Sequence, residues 1–245
     1  MIDTAAIVTG HTRGLGAAIA HHLLARDTRV LGIARNTNDE LASRHGGHLT
    51  QTRLDLADSA ALARWLEDGH MTRFIGPSRT ALLINNAGLL QPIGPLEVQD
   101  ADAVARAVTV NVTAVLMLSA AFAAATSGLR DRRILHVSSG AGSKAYAGWS
   151  VYCATKAALD HHVRAVMLDR TPALRIGSVA PGVIDTDMQA EIRATTEDRF
   201  PERQRFEDMK REGRLRSADD AGRAVVELLL SDAFGREAVT DLRRG

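Results

Sequence analysis

Ala5-Ala6-Ile7-Val8-Thr9-Gly10-His11-Thr12-Arg13-Gly14-Leu15-Gly16 decides how this chain is read. A short apolar run stops at Gly10, and beyond the glycines a helical pattern extends from about Leu15 to Ala25. That order is strand, turn, helix. Glycines let the backbone reverse within a few residues, and they let a pyrophosphate approach the N-terminus of the following helix, where open N–H groups and the helix dipole favour anions. The spacing is Gly-x-x-x-Gly-x-Gly, not the usual Gly-x-Gly-x-x-Gly. Its position between the first strand and the first helix marks it as a dinucleotide-binding turn.

The same alternation continues outward. Val30 to Ala34, Leu49 to Leu54, Leu82 to Asn85, Ile134 to Ser138 and Ile176 to Val179 read as strands, with helical stretches between most of them. A repeated β-α order predicts an α/β fold, a Rossmann-type doubly wound parallel sheet with helices on both faces. The two longest helices are expected at about Asp100 to Thr126 and Ser150 to Asp169. Their Ala-rich faces can pack inside the protein or against a second subunit. With 245 residues and no repeat, linker or composition shift, residues 1–245 are expected to form a single domain.

Composition narrows the function classes. Apolar residues make up 45% and aromatics only 4%, so the core is built mainly from Ala, Leu and Val. The net charge is +1 with acids and bases interleaved, which argues against nucleic acid or a membrane surface as partner. The lone Cys153 fits a reducing compartment, and Met1-Ile2-Asp3-Thr4 carries no secretory pattern. The longest apolar run, Val112 to Ala125, falls short of the roughly 20 residues that span a bilayer. A cytoplasmic location is therefore expected. The nine histidines, with the pairs His21-His22 and His161-His162, lack metal-ligand spacing, so no metal site is expected.

The strand ends carry the chemistry. Ala34 is followed by Arg35 and Asn36, with no acid until Asp39, and Arg13 lies in the glycine turn on the same side. Two guanidiniums suit a 2′-phosphate, so NADP(H) is expected in preference to NAD(H). Asp55-Leu56 closes the third strand, where a carboxylate can accept from an adenine amine, and Asn85-Asn86-Ala87-Gly88 closes the fourth. Asn111 interrupts an apolar helix, where it can instead be an interior amide bonded to a neighbouring carbonyl. Ser139 ends the fifth strand 13 positions before Tyr152, and Pro181-Gly182-Val183-Ile184-Asp185-Thr186 follows the sixth. Tyr152 and Lys156 are four residues apart and share a helix face. An ammonium about 4 Å from a phenol in an intermediate dielectric favours the ionised form by about 4 kcal/mol, which predicts a phenol pKa drawn down from about 10 toward neutrality. A tyrosine that gives and takes a proton is what carbonyl reduction needs.

With the glycine turn, Asn85-Asn86-Ala87-Gly88, Ser139, Tyr152-x-x-x-Lys156 and Pro181-Gly182-x-x-x-Thr186 in order, the chain resembles the short-chain dehydrogenase/reductase family over nearly its whole length. The resemblance implies about seven strands, a homodimer or homotetramer, and a nicotinamide cofactor across the strand ends. It places Gly10, Thr12, Arg13, Gly14, Leu15, Gly16, Arg35, Asn36, Asp55, Leu56, Asn86, Ala87, Gly88, Pro181 and Gly182 on that cofactor, with Tyr152 and Lys156. It implies Tyr152 as general acid, Lys156 lowering its pKa and holding the nicotinamide ribose, Ser139 holding the carbonyl oxygen, and Asn111 ordering a water that relays protons. Ile184 and Thr186 fix the carboxamide in such proteins.

The stretches Gly148 to Asp160 and Pro181 to Gln189 resemble sepiapterin reductases and, at least as closely, the related microbial benzil reductases, while Ala190 to Arg193 and Gly213 to Ser217 resemble the benzil reductases more. This implies NADPH-dependent reduction of a small-molecule carbonyl, a vicinal diketone or aryl ketone. The chain departs from sepiapterin reductases in a shorter passage from second to third strand, and the residue aligned with their pterin-anchoring carboxylate is Asp241. About 185–216 corresponds to a substrate flap, with Gln91, Tyr146, Trp149, Met188, Phe206 and Asp241 expected near the substrate. Two rival readings stand: a 3-oxoacyl-thioester reductase with the same four catalytic residues, and a non-catalytic NADP-sensing module. The sensor class commonly loses the tyrosine or lysine, and both are kept here.

Overall fold

The computed structural model describes residues 3–243. Seven strands form one parallel sheet: β1 Thr4–Thr9, β2 Arg29–Ala34, β3 Leu49–Arg53, β4 Thr80–Asn85, β5 Asp131–Val137, β6 Leu174–Ala180 and β7 Val239–Asp241, in the order β3-β2-β1-β4-β5-β6-β7. The helices are α1 Gly14–Leu24, α2 Asp39–His45, α3 Ser59–Glu67, α4 His70–Ile75, α5 Ala101–Val108, α6 Ala114–Ala125, α7 Ser150–Leu168, α8 Asp187–Ala194, α9 Arg203–Arg211 and α10 Ala218–Leu230. The six strands read from the sequence are all present. Their apolar runs are continuous because the sheet is covered on both faces.

On one face, Ile19 and Leu23 of α1 and Val225 and Leu229 of α10 pack on Val8, Ile84 and Leu135. On the other, Leu62, Phe122 and Val163 of α3, α6 and α7 pack on Ile7, Leu83 and Ile134. The strand order reverses between β1 and β4, which opens a crevice beyond their C-terminal ends, the place where open α/β sheets bind ligands. α1 starts directly from the glycine turn with Arg13 extended and no side-chain cap, so its first N–H groups face that crevice unsatisfied by the chain. By contrast α2 and α5 are closed by Asn38 and Asp100.

α5 and α6 form one helix of 25 residues, joined by a π turn at Thr109–Thr113. It is longer than the apolar run read from the sequence, and by length and composition alone it is apolar enough to cross a bilayer. Ala107, Val110, Ala114, Leu118 and Phe122 are buried in this fold, which makes it a core helix.

Candidate active site

A cavity of about 660 Å³ lies beyond the strand ends, within the roughly 300–1,000 Å³ usual for small-molecule sites. Every residue assigned to the cofactor from the sequence lines it. Its floor is tied together by Thr9 and Asn86. The Asn86 and Ala87 N–H groups donate to Thr9 Oγ1 at 2.9 and 3.0 Å, and Asn86 Nδ2 donates to Thr9 O at 2.9 Å. Gly10 has φ +69°, and a Cβ on Gly16 would collide with Gly10 O and Asn86 Nδ2. The turn therefore requires its glycines, and it leaves a backbone cradle at the start of α1 of the kind that admits a pyrophosphate. Ser138 Oγ and Gln189 Oε1, both buried residues lining the cavity, have no hydrogen-bond partner among the described residues. Cradle and orphaned polar atoms together fit a bound dinucleotide.

At the end of the cavity beyond β2, Arg35 and Asn36 are exposed, and no carboxylate ends the strand. Arg13 reaches across the cavity mouth to Asp187 of α8 at 2.8 Å, an ion pair open to water on both sides. Asp55 is already engaged: its carboxylate accepts from Ala57 N at 3.0 Å and from Arg106 Nη2 at 2.9 Å. Partial burial pushes its pKa up, but these hydrogen bonds and the nearby guanidiniums outweigh that, and it stays below the ordinary range.

Tyr152 and Lys156 project from one face of α7, with Lys156 Nζ 5.6 Å from the Tyr152 ring centroid. Lys156 Nζ donates to Val137 O at 2.8 Å. The phenol does not move as the sequence predicts. Burial pushes it up to about 12, against the pull of a hydrogen bond with Ser139 and with a small push from Cys153. Desolvation of a buried phenolate, which helical spacing alone does not reveal, is the larger effect. The ammonium is itself buried, which pushes Lys156 down to about 8, with the Asp160 charge opposing. Tyr152 is thus a neutral phenol at pH 7, the form that donates a proton.

Ser139 heads the turn after β5, where its Oγ accepts from Ala141 N at 3.2 Å. Asn111 sits in the π turn, and its amide makes three hydrogen bonds: Oδ1 accepts from Leu89 N at 2.7 Å, while Nδ2 donates to Leu89 O at 2.8 Å and Thr155 Oγ1 at 3.2 Å, which leaves one lone pair of Oδ1 over. A Cβ on Gly88 would lie 3.5 Å from Asn111 Oδ1 and 3.7 Å from Lys156 Nζ. Gly88 thus lies beside both groups, at ordinary contact distance. Asn111 itself does not line the cavity.

The other side of the cavity is aromatic. Tyr146, Trp149, Met188 and Phe206 all line it. Trp149 stacks on Phe200 with centroids 4.4 Å apart and planes at 9°, and approaches Phe206 at 5.6 Å. Gln91 lies outside, donating from Nε2 to Glu191 Oε1 at 2.7 Å. Asp241 also stands off the cavity wall, holding Arg243 Nε at 2.9 Å, and it is Arg243 that lines the cavity. The segment 185–216 leaves and rejoins the body at one point, where Asp185 N donates to Arg216 O at 2.9 Å and Arg216 N to Val183 O at 3.0 Å.

Three features escaped the sequence reading. Arg205 and Arg243 line the cavity, and no motif marks either. Asp160, one turn beyond Lys156, is buried, accepts from Ser178 Oγ at 2.5 Å, and packs so tightly that a Cβ on Gly142 would collide with it. Beneath the site, His136 is fully buried between Asn85 Nδ2 and His162 Nδ1, each at 3.1 Å. A buried Asp four residues after the Lys was the one signal available.

Comparison with known proteins agrees with this geometry. The chain matches the short chain dehydrogenase family over residues 4–197. It is 34% identical over 235 residues to a benzil reductase ((S)-benzoin forming) of Bacillus cereus, covering 93% of this chain and 94% of that one. It is 32% identical over 251 residues to the sepiapterin reductase of Meriones unguiculatus, covering 96% and 94%. The crystal structure of a short-chain dehydrogenase/reductase from Burkholderia vietnamiensis superposes with a TM-score of 0.73 at 49% identity, covering 99% and 98% of the two chains.

Proposed function

The chain belongs to the short-chain dehydrogenase family, and from that premise we propose that it is an NADPH-dependent reductase of vicinal diketones and aryl ketones. The observation that carries this reading is the meeting of Ser139, Tyr152 and Lys156 in one cavity, with a glycine cradle on one side and the Trp149 and Phe206 rings on the other. Asp241, which a pterin would need, is engaged by Arg243, so aryl carbonyls suit the site better than pterins.

A bound reduced nicotinamide supplies the hydride. Ser139 holds the substrate oxygen, and Tyr152, neutral at pH 7, donates its proton to that oxygen as negative charge develops there. Lys156, its ammonium charge raised in pKa by Asp160 and lowered by burial, then stabilises the phenolate left behind. Asn111 acts through position, clamping the loop after β4 to α7 through Leu89 and Thr155. Arg35 takes the 2′-phosphate, and Arg13 joins it by exchanging Asp187, since an exposed pair contributes at most about 1 kcal/mol. The segment 185–216 acts as a flap that excludes water. Exposed Val108, Leu116 and Leu168 on the two long helices suit a homo-oligomer. The lone Cys153 suits a cytoplasmic location.

The test is the initial rate of NADPH oxidation with benzil, 1-phenyl-1,2-propanedione, sepiapterin and an acetoacetyl thioester, each repeated with NADH. Turnover of the diketones with NADPH is expected. Turnover of the thioester alone would replace this reading with the rival reductase.

A further inference from the structure

The substrate side carries charge that a neutral diketone does not use. Arg205 of α9 and Arg243 of the turn after β7 come from distant parts of the chain, yet both line the cavity beside Tyr146. Tyr146 lies within electrostatic reach of both guanidiniums. Each guanidinium also has an acid behind it: Arg205 Nη1 donates to Glu202 Oε2 at 2.8 Å, and Arg243 donates from Nε to both Asp241 oxygens at 2.9 and 3.1 Å and from Nη2 to Asp241 Oδ2, which leaves Nη1 and the second Nη2 proton uncommitted to Asp241. These acids orient the side chains without exhausting them, because a guanidinium has five N–H donors in a fixed fork.

The position of Arg243 relates this charge to the reaction. A Cβ on Gly140 would fall 3.1 Å from Arg243 Nη2, and one on Gly182 would fall 3.4 Å from its Cγ. The guanidinium therefore lies over the residue that follows Ser139. An anionic group bonded to the reacting carbonyl carbon would meet it, while an aryl group on the other side would meet Trp149 and Phe206.

We propose that Arg243, supported by Arg205 and Tyr146, is a carboxylate-recognition site, and that the preferred substrates are aryl 2-oxo acids. This rests on the reductase reading above and narrows it to vicinal dicarbonyls whose second carbonyl belongs to a carboxylate. The reaction balances without further reagents. Hydride from NADPH adds to the ketone carbon, the C=O π pair moves to oxygen, and Tyr152 protonates that oxygen. The products are the 2-hydroxy acid and NADP⁺, and the carboxylate is unchanged.

The test compares kcat/KM for phenylglyoxylate, its methyl ester and 1-phenyl-1,2-propanedione at saturating NADPH, in the wild type, Arg243→Leu and Arg243→Lys. Arg243→Leu is expected to lower kcat/KM for phenylglyoxylate about tenfold to a hundredfold more than for the ester, mainly through KM. Arg243→Lys, which keeps the charge but not the fork, should fall between. Added salt should raise the KM of the acid and not that of the ester. Equal losses on acid and ester would overturn the proposal. So would a wild type that reduces the diketone and the ester but not phenylglyoxylate, which would leave the reductase reading standing. Turnover of none of the three would overturn both.

Discussion

Trp149 stands edge-on to Tyr152, with ring centroids 5.6 Å apart and planes at 74°, while the same indole stacks on Phe200. One side chain thus joins the proposed proton donor to the proposed flap. Edge-to-face and offset stacking are the arrangements aromatic quadrupoles favour, so these contacts fix ring positions as well as burying area.

Phe200 is fully buried in this cluster. Phe200→Ala should therefore cost about 3–5 kcal/mol and lower Tm by roughly 10 °C. It should also raise KM for an aryl diketone, because Trp149 loses its stacking partner. Calorimetry and steady-state kinetics on the same preparation check both effects.

Arg35→Ala should weaken NADPH by about tenfold while leaving NADH nearly unchanged, because only the 2′-phosphate is lost as a partner. The ratio of kcat/KM values for the two cofactors reads this directly. An unmoved ratio would remove Arg35 from the 2′-phosphate site.

Lys156 is held down to about 8 by burial. Its ammonium is the form that donates to a ribose hydroxyl, so kcat/KM for NADPH should be level between about pH 6 and 7.5. It should fall as pH rises through about 8, toward tenfold per unit. Asp160 supplies the opposing charge, and Asp160→Asn should move the fall to lower pH. A profile level to pH 10 in the wild type would contradict this.

The fold was legible because a parallel sheet covered on both faces turns each inner strand into an apolar run, and Gly10, Gly14 and Gly16 mark the first crossover. β7 was not located from the residues, since Val239–Asp241 is too short to show a period. Tyr152 and Lys156 were legible as a pair because helical spacing puts them on one face. The sign of the phenol's shift was not, because burial depends on how Trp149 and the flap close around it. Arg243 was missed for a similar reason: its role comes from the C-terminal turn folding back over Gly140 and Gly182, a contact between segments far apart in sequence.

His136 gives a stability prediction. Burial, with the His162 and Lys156 charges, pushes it down to about 3 from 6.5. Between those values the unfolded chain binds a proton that the folded one does not. Its contribution is therefore intact above pH 6.5 and is lost on acidification toward 3, at about 1.4 kcal/mol per pH unit. Urea titrations between pH 7 and 5 should show this slope, reduced by one proton in His136→Gln.

The most direct measurement is a comparison of wild type and Tyr152→Phe, pairing NADPH oxidation with 1-phenyl-1,2-propanedione against NADPH binding by fluorescence. The account predicts that the variant binds NADPH nearly as well as the wild type and loses at least about a thousandfold in kcat. Near-normal turnover by Tyr152→Phe would contradict the assignment of Tyr152 as the proton donor.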